Sequence, residues 1–320
     1  MTKRHLTCSV VVTMIICSSF APVAASAASD SVRGTHRYAV GEVTKTYVDK
    51  TRPTDANGTF PGSSSREISV LVLYPAKGIP GGVPVIGATP ARKEAPYPLI
   101  IFSHGHTSDG QVYKMNLLSE IAAAGYVVAA PTFPLSSKGA PGGAVISDYQ
   151  NQTEDLSLVI DKMIKLNRSN KALQGMIDQS QIGAAGHSLG AITTLGAAYS
   201  ACCRDKRIDA VAAIAGMQLP FGDGAWAWPD IPIMLIHGDK DTRVPYAGSS
   251  AIYSEATGDK FLLTLLSAPH SPFFGAWQKV VSETTVDFFD RYLEGRRASL
   301  LQLKKDANVE GVAKLESARP

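Results

Sequence analysis

The chain is predicted to fold as an α/β protein, with a mostly parallel central sheet and helices on both faces. Three features of the sequence predict it. Short apolar runs alternate with longer segments of helical periodicity from Ile68 to Tyr292. The short runs, such as Ile233-Met234-Leu235-Ile236, are apolar without interruption, as strands buried on both faces must be; a half-exposed sheet would alternate. The third feature is Gly186-His187-Ser188-Leu189-Gly190, which joins one such run, Ile182 to Ala185, to a small-residue helix, Ala191 to Tyr199. It places a serine in a tight strand-to-helix turn.

Taken in order, residues 1–27 have the three parts of a secretory signal peptide: Lys3 and Arg4, an apolar stretch from Leu6 to Phe20, and Ala25-Ser26-Ala27, with cleavage expected after Ala27. The mature protein is therefore expected to be secreted or periplasmic. Cys17 ends the apolar stretch and offers a lipoprotein alternative, against which Ile16 is bulky. Residues 28–66, rich in Gly, Ser, Thr and Pro, read as an N-terminal arm with a strand near Tyr38 to Val48. A catalytic domain is expected over residues 67–293. Its strands are Ile68–Tyr74, Leu99–Ser103, Tyr126–Pro131, Ile182–Ala185, Ala210–Ala215, Ile233–His237 and Phe261–Leu266. Its helices are Tyr113–Ala124, Tyr149–Leu166, Ala191–Tyr199 and Ala276–Tyr292. No insertion is long enough for a large cap domain. Residues 294–320 are highly charged and read as a solvated helix or frayed tail.

With 320 residues, 45% hydrophobic and 18% charged, the chain has the composition of one globular domain. Loss of residues 1–27 removes Lys3 and Arg4 and brings the formal charge from +3 to +1, so nothing draws the mature chain to nucleic acid or an anionic membrane. No later apolar run reaches the ~20 residues of a membrane helix, and no stable membrane insertion is expected. A small-molecule partner is expected; the oligomeric state is not readable. Of four cysteines only the adjacent Cys202 and Cys203 remain in the mature chain, and they read either as a strained vicinal disulfide or as two small apolar residues.

A serine hydroxyl attacks at neutral pH only when a base lies within hydrogen-bond reach and a third group fixes that base's tautomer. In folds with this turn, chain order runs serine, acid, histidine. Of seven histidines, His237 and His270 follow Ser188. His237 ends a strand, whereas His270 sits in the loop Ser267-Ala268-Pro269-His270-Ser271-Pro272 and is the expected base. The acid is sought in His237-Gly238-Asp239-Lys240-Asp241-Thr242-Arg243-Val244-Pro245; Asp241 is chosen, with Asp239 as the alternative or as a turn-shaping residue. Oxyanion donors are expected from the backbone N–H of Leu189, next after the nucleophile, and of His106, after the strand ending at Ser103. His104 and His106 also have i, i+2 metal-ligand spacing, but no suitable third ligand is near in sequence; no metal and no cofactor are expected. His187 reads as a packing or turn residue. Met217, Trp226 and Trp228, in a stretch of glycines and prolines, are candidates for an apolar substrate lip; the alternative is that the aromatics cover the sheet edge.

With those residues in place, the chain from about Ser65 to Leu293 resembles the α/β-hydrolase superfamily, and within it the secreted dienelactone-hydrolase-like and platelet-activating-factor-acetylhydrolase-like serine esterases. The segments carrying the resemblance are Val70 to Ala76, Pro98 to Gly105, Gly125 to Pro131, the Gly186 to Gly190 turn and His237 to Pro245. Asp241 stands where dienelactone hydrolases, chlorophyllases and bacterial cutinases carry their acid. Dienelactone hydrolases proper typically have a cysteine nucleophile where this chain has Ser188. The resemblance implies a serine hydrolase that cleaves carboxylic esters through an acyl-enzyme intermediate. Two alternatives are a cutinase-like polyester hydrolase or lipase, and a non-catalytic binding protein on the same fold.

Overall fold

The structure, a computed structural model, describes residues 37–318. The expected signal peptide lies outside the described residues, as do residues 28–36 of the arm. In chain order the elements are β1 (Ala39–Asp49), β2 (Arg66–Ala76), β3 (Val85–Ile86), β4 (Tyr97–Ser103), α1 (Gly110–Tyr113), a π turn (Lys114–Leu118), α2 (Ser119–Ala124), β5 (Val127–Thr132), α3 (Tyr149–Ser169), β6 (Ile177–His187) and α4 (Leu189–Tyr199). They continue with β7 (Ala210–Ile214), β8 (Ile233–Gly238), α5 (Tyr246–Glu255), β9 (Lys260–Leu265), α6 (Gly275–Tyr292), α7 (Ala298–Asp306) and β10 (Ala313–Ala318).

One sheet holds the strands in the order β10-β9-β8-β7-β6-β4-β5-β2-β1-β3. Its centre, from β5 to β9, is parallel. On one side β2 runs antiparallel to both β5 and β1, with β3 added to β1 in parallel; on the other β10 runs antiparallel to β9. Alternate residues of each central strand feed opposite cores: Ile100 and Phe102 pack with α2 and α6, while Leu99 and Ile101 pack with α3 and α4. Both faces are dry, which accounts for the unbroken apolar runs. Ile100 and Ile101 are each essentially unexposed, and each such side chain contributes about 1.5–3 kcal/mol of burial free energy. Among the described residues no helix is long and apolar enough to cross a membrane.

The connection after β4 leads to β5 on one side, and the connection after β6 leads to β7 on the other. The carboxyl ends of β4 and β6 therefore flank a crevice, the place where open α/β sheets bind ligands.

Two parts of the structure differ from the sequence expectation. Residues 294–318 are not a frayed tail: α7 packs on α6 through the buried Leu303, and β10 pairs with β9 from Ala313↔Leu265 to Ala318↔Lys260. The strand has the pattern of an edge, with Ala313 and Leu315 turned inward between exposed neighbours, so Lys314 and Glu316 mark its outer face. In the N-terminal arm, β1 pairs with β2 along its whole length. The arm is tied to α3 by Arg66, buried and bonded to both oxygens of Asp155 and to Asp148, with Arg52 adding an ion pair to Asp155.

Asp287 on α6 lacks such a partner. Its Oδ2 is buried without a hydrogen bond, and burial, reinforced by the charges of Asp306, Asp290 and Glu283, pushes its carboxyl up to about 8. An acid whose folded pKa exceeds its unfolded value keeps a proton that the unfolded chain has released, so its contribution to stability falls from about pH 4 to about pH 8. Asp287→Asn is expected to raise Tm at pH 8 by more than it does at pH 5. Thermal melts at the two pH values check this; a Tm difference that does not grow with pH contradicts it.

Candidate active site

Ser188 sits at the end of β6 with φ 57° and ψ −122°, a conformation that residues with side chains rarely adopt. Two glycines permit it. A Cβ on Gly186 would lie 2.3 Å from the Gly190 carbonyl oxygen, and one on Gly190 would lie 2.0 Å from that of Ser103, so strand, turn and helix approach closer than any side chain allows. The Ser188 N–H donates to the Ile214 carbonyl at 2.9 Å, which pins the turn to β7.

The structure brings together the three residues expected to act as a set. Ser188 Oγ lies 2.8 Å from His270 Nε2, and His270 Nδ1 lies 2.7 Å from Asp241 Oδ2. The base-bearing and acid-bearing loops are held edge to edge: a Cβ on Gly238 would lie 2.3 Å from the Ala268 carbonyl oxygen, and Asp239 Oδ1 accepts the Ser267 N–H at 2.7 Å. Asp239 thus shapes the junction, and the carboxylate bonded to His270 Nδ1 is that of Asp241.

Asp241 is surrounded by donors. Its Oδ1 accepts the N–H groups of Arg243 and Val244 at 2.8 and 2.9 Å; its Oδ2 accepts from His270 and, at 3.1 Å, from His237 Nε2. Burial alone would raise its pKa, but these bonds, that from His270 foremost, outweigh it and hold the carboxyl below the usual range. His237 was not singled out in the sequence as part of this group. It is buried and kept neutral by desolvation, its Nε2–H shared between Asp241 and the Val244 carbonyl at 3.0 Å, with Nδ1 accepting from the Ser249 hydroxyl at 2.7 Å. Its only sequence signal is the i, i+4 spacing to Asp241.

Leu189 and His106 lie on the wall of one cavity of about 460 Å³ that also contains Ser188 and His270. The Leu189 N–H is the first donor of α4, one of the four at a helix N-terminus that have no intrahelical acceptor. The peptide carrying the His106 N–H has its carbonyl, that of Gly105, bonded to His104 Nδ1 at 2.8 Å. His104 Nε2 accepts the Phe133 N–H at 3.0 Å, and burial pushes the ring's pKa down to about 4. Both His104 nitrogens are therefore engaged within the protein, which leaves neither available to a metal. In a trans peptide C=O and N–H point in opposite directions, so the His104 bond also sets the direction of the His106 N–H.

The rest of the cavity wall is largely apolar, with Val112, Ile146, Ile192, Met217 and Leu219, and carries one guanidinium, Arg243. Met217 is thus where a lip residue was expected. Trp226 and Trp228 are not: they stack on each other with ring centroids 5.4 Å apart, Trp228 lies against Tyr199 at 5.2 Å, and neither lines the cavity. The two indoles cover the end of α4, where each finds an aromatic partner. Nearby Cys202 and Cys203 are joined as a vicinal disulfide.

Residues 67–218 match the family model described as Chlorophyllase. No curated protein matches the chain. Among solved structures, a ferulic acid esterase from Streptomyces cinnamoneus superposes with a TM-score of 0.63 at 21% identity, covering 83% of this chain and 93% of that one. The sheet order, the crevice at its switch point and this superposition show an α/β-hydrolase-type fold.

Proposed function

We propose that the protein is an exported serine esterase that hydrolyses carboxylic esters through an acyl-enzyme. The observation that carries this reading is the unbroken series Ser188 Oγ, His270 Nε2, His270 Nδ1, Asp241 Oδ2, with 2.8 and 2.7 Å between partners, opening on a cavity. Asp241 accepts the Nδ1–H and so leaves Nε2 bare to take the Ser188 proton. Ser188 Oγ then attacks the ester carbonyl, and the developing oxyanion is met by the N–H groups of Leu189 and His106. His270 returns the proton to the leaving alcohol, and a water activated by the same imidazole releases the acid. His237 fixes Asp241, and His104 fixes the oxyanion peptide. The names of the family and of the structural neighbour, a chlorophyllase and a ferulic acid esterase, are both those of ester-cleaving enzymes, which agrees with this chemistry. Export is supported by the leader-like residues 1–27 and by the disulfide, which persists in an oxidising compartment.

The wall of the cavity favours an apolar acyl or alcohol group. Val112 and Ile146 are more than half exposed at its mouth, which is the observation in favour of bulky, polyester-like substrates as a second reading. Arg243 adds a preference: among the described residues its guanidinium has no ion-pair partner, so an acyl chain ending in a carboxylate would find a counter-charge there. The test is a kinetic comparison of p-nitrophenyl hexanoate with mono-p-nitrophenyl adipate. Both are expected to be hydrolysed, and Arg243→Gln is expected to lower the adipate-to-hexanoate ratio of kcat/KM about fivefold, the ~1 kcal/mol of an exposed ion pair. No turnover of either ester sinks the esterase reading; an unchanged ratio sinks the role of Arg243.

A further inference from the structure

We infer that Tyr113 and His187 are positioning residues that lock the oxyanion loop and the base-bearing loop to each other through one directed chain of hydrogen bonds. The inference rests on the esterase reading above. The Gly105 N–H donates to Tyr113 Oη at 3.1 Å, Tyr113 Oη lies 2.9 Å from His187 Nδ1, and His187 Nε2 lies 2.8 Å from the carbonyl oxygen of His270. The direction of every proton in this chain is fixed by its ends. A carbonyl can only accept, so His187 Nε2 carries the hydrogen. His187 is buried, and desolvation pushes its pKa down to about 3, so the ring is neutral and Nδ1 is bare. The phenol must then donate to Nδ1, and its oxygen is left to accept the Gly105 N–H. Tyr113 is itself buried with its pKa raised by desolvation, and it stays a phenol.

The chain joins the residue before His106 to the backbone of His270, so the two loops that must converge on Ser188 share a single buried link. Packing leaves it little freedom. The Phe273 ring meets both Tyr113 and His187 edge-on, at 5.3 and 5.0 Å between centroids, and the Asn116 side-chain amide donates to the Phe273 carbonyl at 3.2 Å. A Cβ on Gly105 would come within 3.0 Å of Tyr113 Oη and 3.3 Å of His187 Nδ1, so the loop backbone itself closes on this pair. A phenylalanine at 113 would keep the ring contacts but strand the Gly105 N–H and His187 Nδ1 together. The loop would lose the bond that sets its distance from His270, while the cavity wall kept its apolar lining.

The test is steady-state kinetics of Tyr113→Phe on p-nitrophenyl hexanoate beside wild type and a control, Tyr126→Phe, which removes a buried hydroxyl bonded to Asp290, neither residue lining the cavity. Tyr113→Phe is expected to lose ten- to hundredfold in kcat with KM changed less than about threefold, a fraction of the 10²–10³ seen when an oxyanion donor is lost outright. Tyr126→Phe is expected to lower Tm while kcat stays within twofold of wild type. His187→Asn and the double variant with Tyr113→Phe complete a cycle: in one chain, the double variant loses little more than the worse single one. If Tyr113→Phe keeps kcat within twofold, if Tyr126→Phe loses as much, or if the two losses simply multiply, the link has no positioning role. Wild type that turns over no ester would instead overturn the esterase reading on which the inference stands.

Discussion

Ser188→Ala is expected to abolish ester turnover, lowering kcat by about 10⁶, the scale reached when the nucleophile of a serine hydrolase is removed. Without Oγ there is no acyl-enzyme, and His270 has no proton to take; what remains is binding in the cavity and two backbone donors that a water attack could use poorly. The loss is chemical and not structural. Ser188 provides no side-chain cap to α4, and the positive φ of its turn is no harder for alanine than for serine. The substitution removes one hydrogen bond, that to His270. A Tm within a few degrees of wild type is therefore expected alongside the kinetic loss. Turnover retained within a hundredfold, in protein free of wild-type contamination, would remove Ser188 from the mechanism.

Asp241→Asn is expected to cost about 10⁴ in kcat, the scale known for the corresponding change in serine proteases. The carboxylate accepts four hydrogen bonds: from His270, from His237 and from the N–H groups of Arg243 and Val244. An amide accepts on one side only. With its NH₂ toward His270, Nδ1 must become an acceptor, so Nε2 carries the proton and cannot receive that of Ser188. With its NH₂ toward Arg243 and Val244, donor faces donor in a buried place, at about 1–3 kcal/mol for each unsatisfied group. Either orientation harms the enzyme, the first through the tautomer and the second through the loop. The expected result is a large fall in kcat with a modest fall in Tm. An asparagine variant with a tenth or more of wild-type kcat would show that Asp241 does not set the His270 tautomer.

Much of the fold was legible because its physics is local or periodic. A strand buried on both faces has to be apolar throughout, which is why β4 and β8 stand out, and Gly186 and Gly190 are dictated by contacts of 2.3 Å or less that no other residue allows. The order of Ser188, Asp241 and His270 followed from the same topology, since each ends or follows a strand at one edge of the sheet. What escaped was decided by partners distant in sequence. His237 looked like a strand end, and its ring meets Asp241 only once the acid loop folds back. His187 and Tyr113 are 74 residues apart and meet only when the oxyanion loop lies over the serine turn. Trp226 and Trp228 suggested a lip by their cost of exposure, yet each had found an aromatic neighbour instead. In α7 and β10 the charged residues that suggested a tail are the exposed side of an edge strand and its helix, a pattern too short to separate from solvated chain.

The most direct test of the proposed activated serine is labelling of the folded protein with a fluorophosphonate, followed by intact-mass measurement and peptide mapping. The account predicts a single adduct, on the peptide containing Ser188, formed in wild type and lost in both Ser188→Ala and His270→Ala. An unlabelled wild-type protein, or an adduct on any other residue, would contradict it.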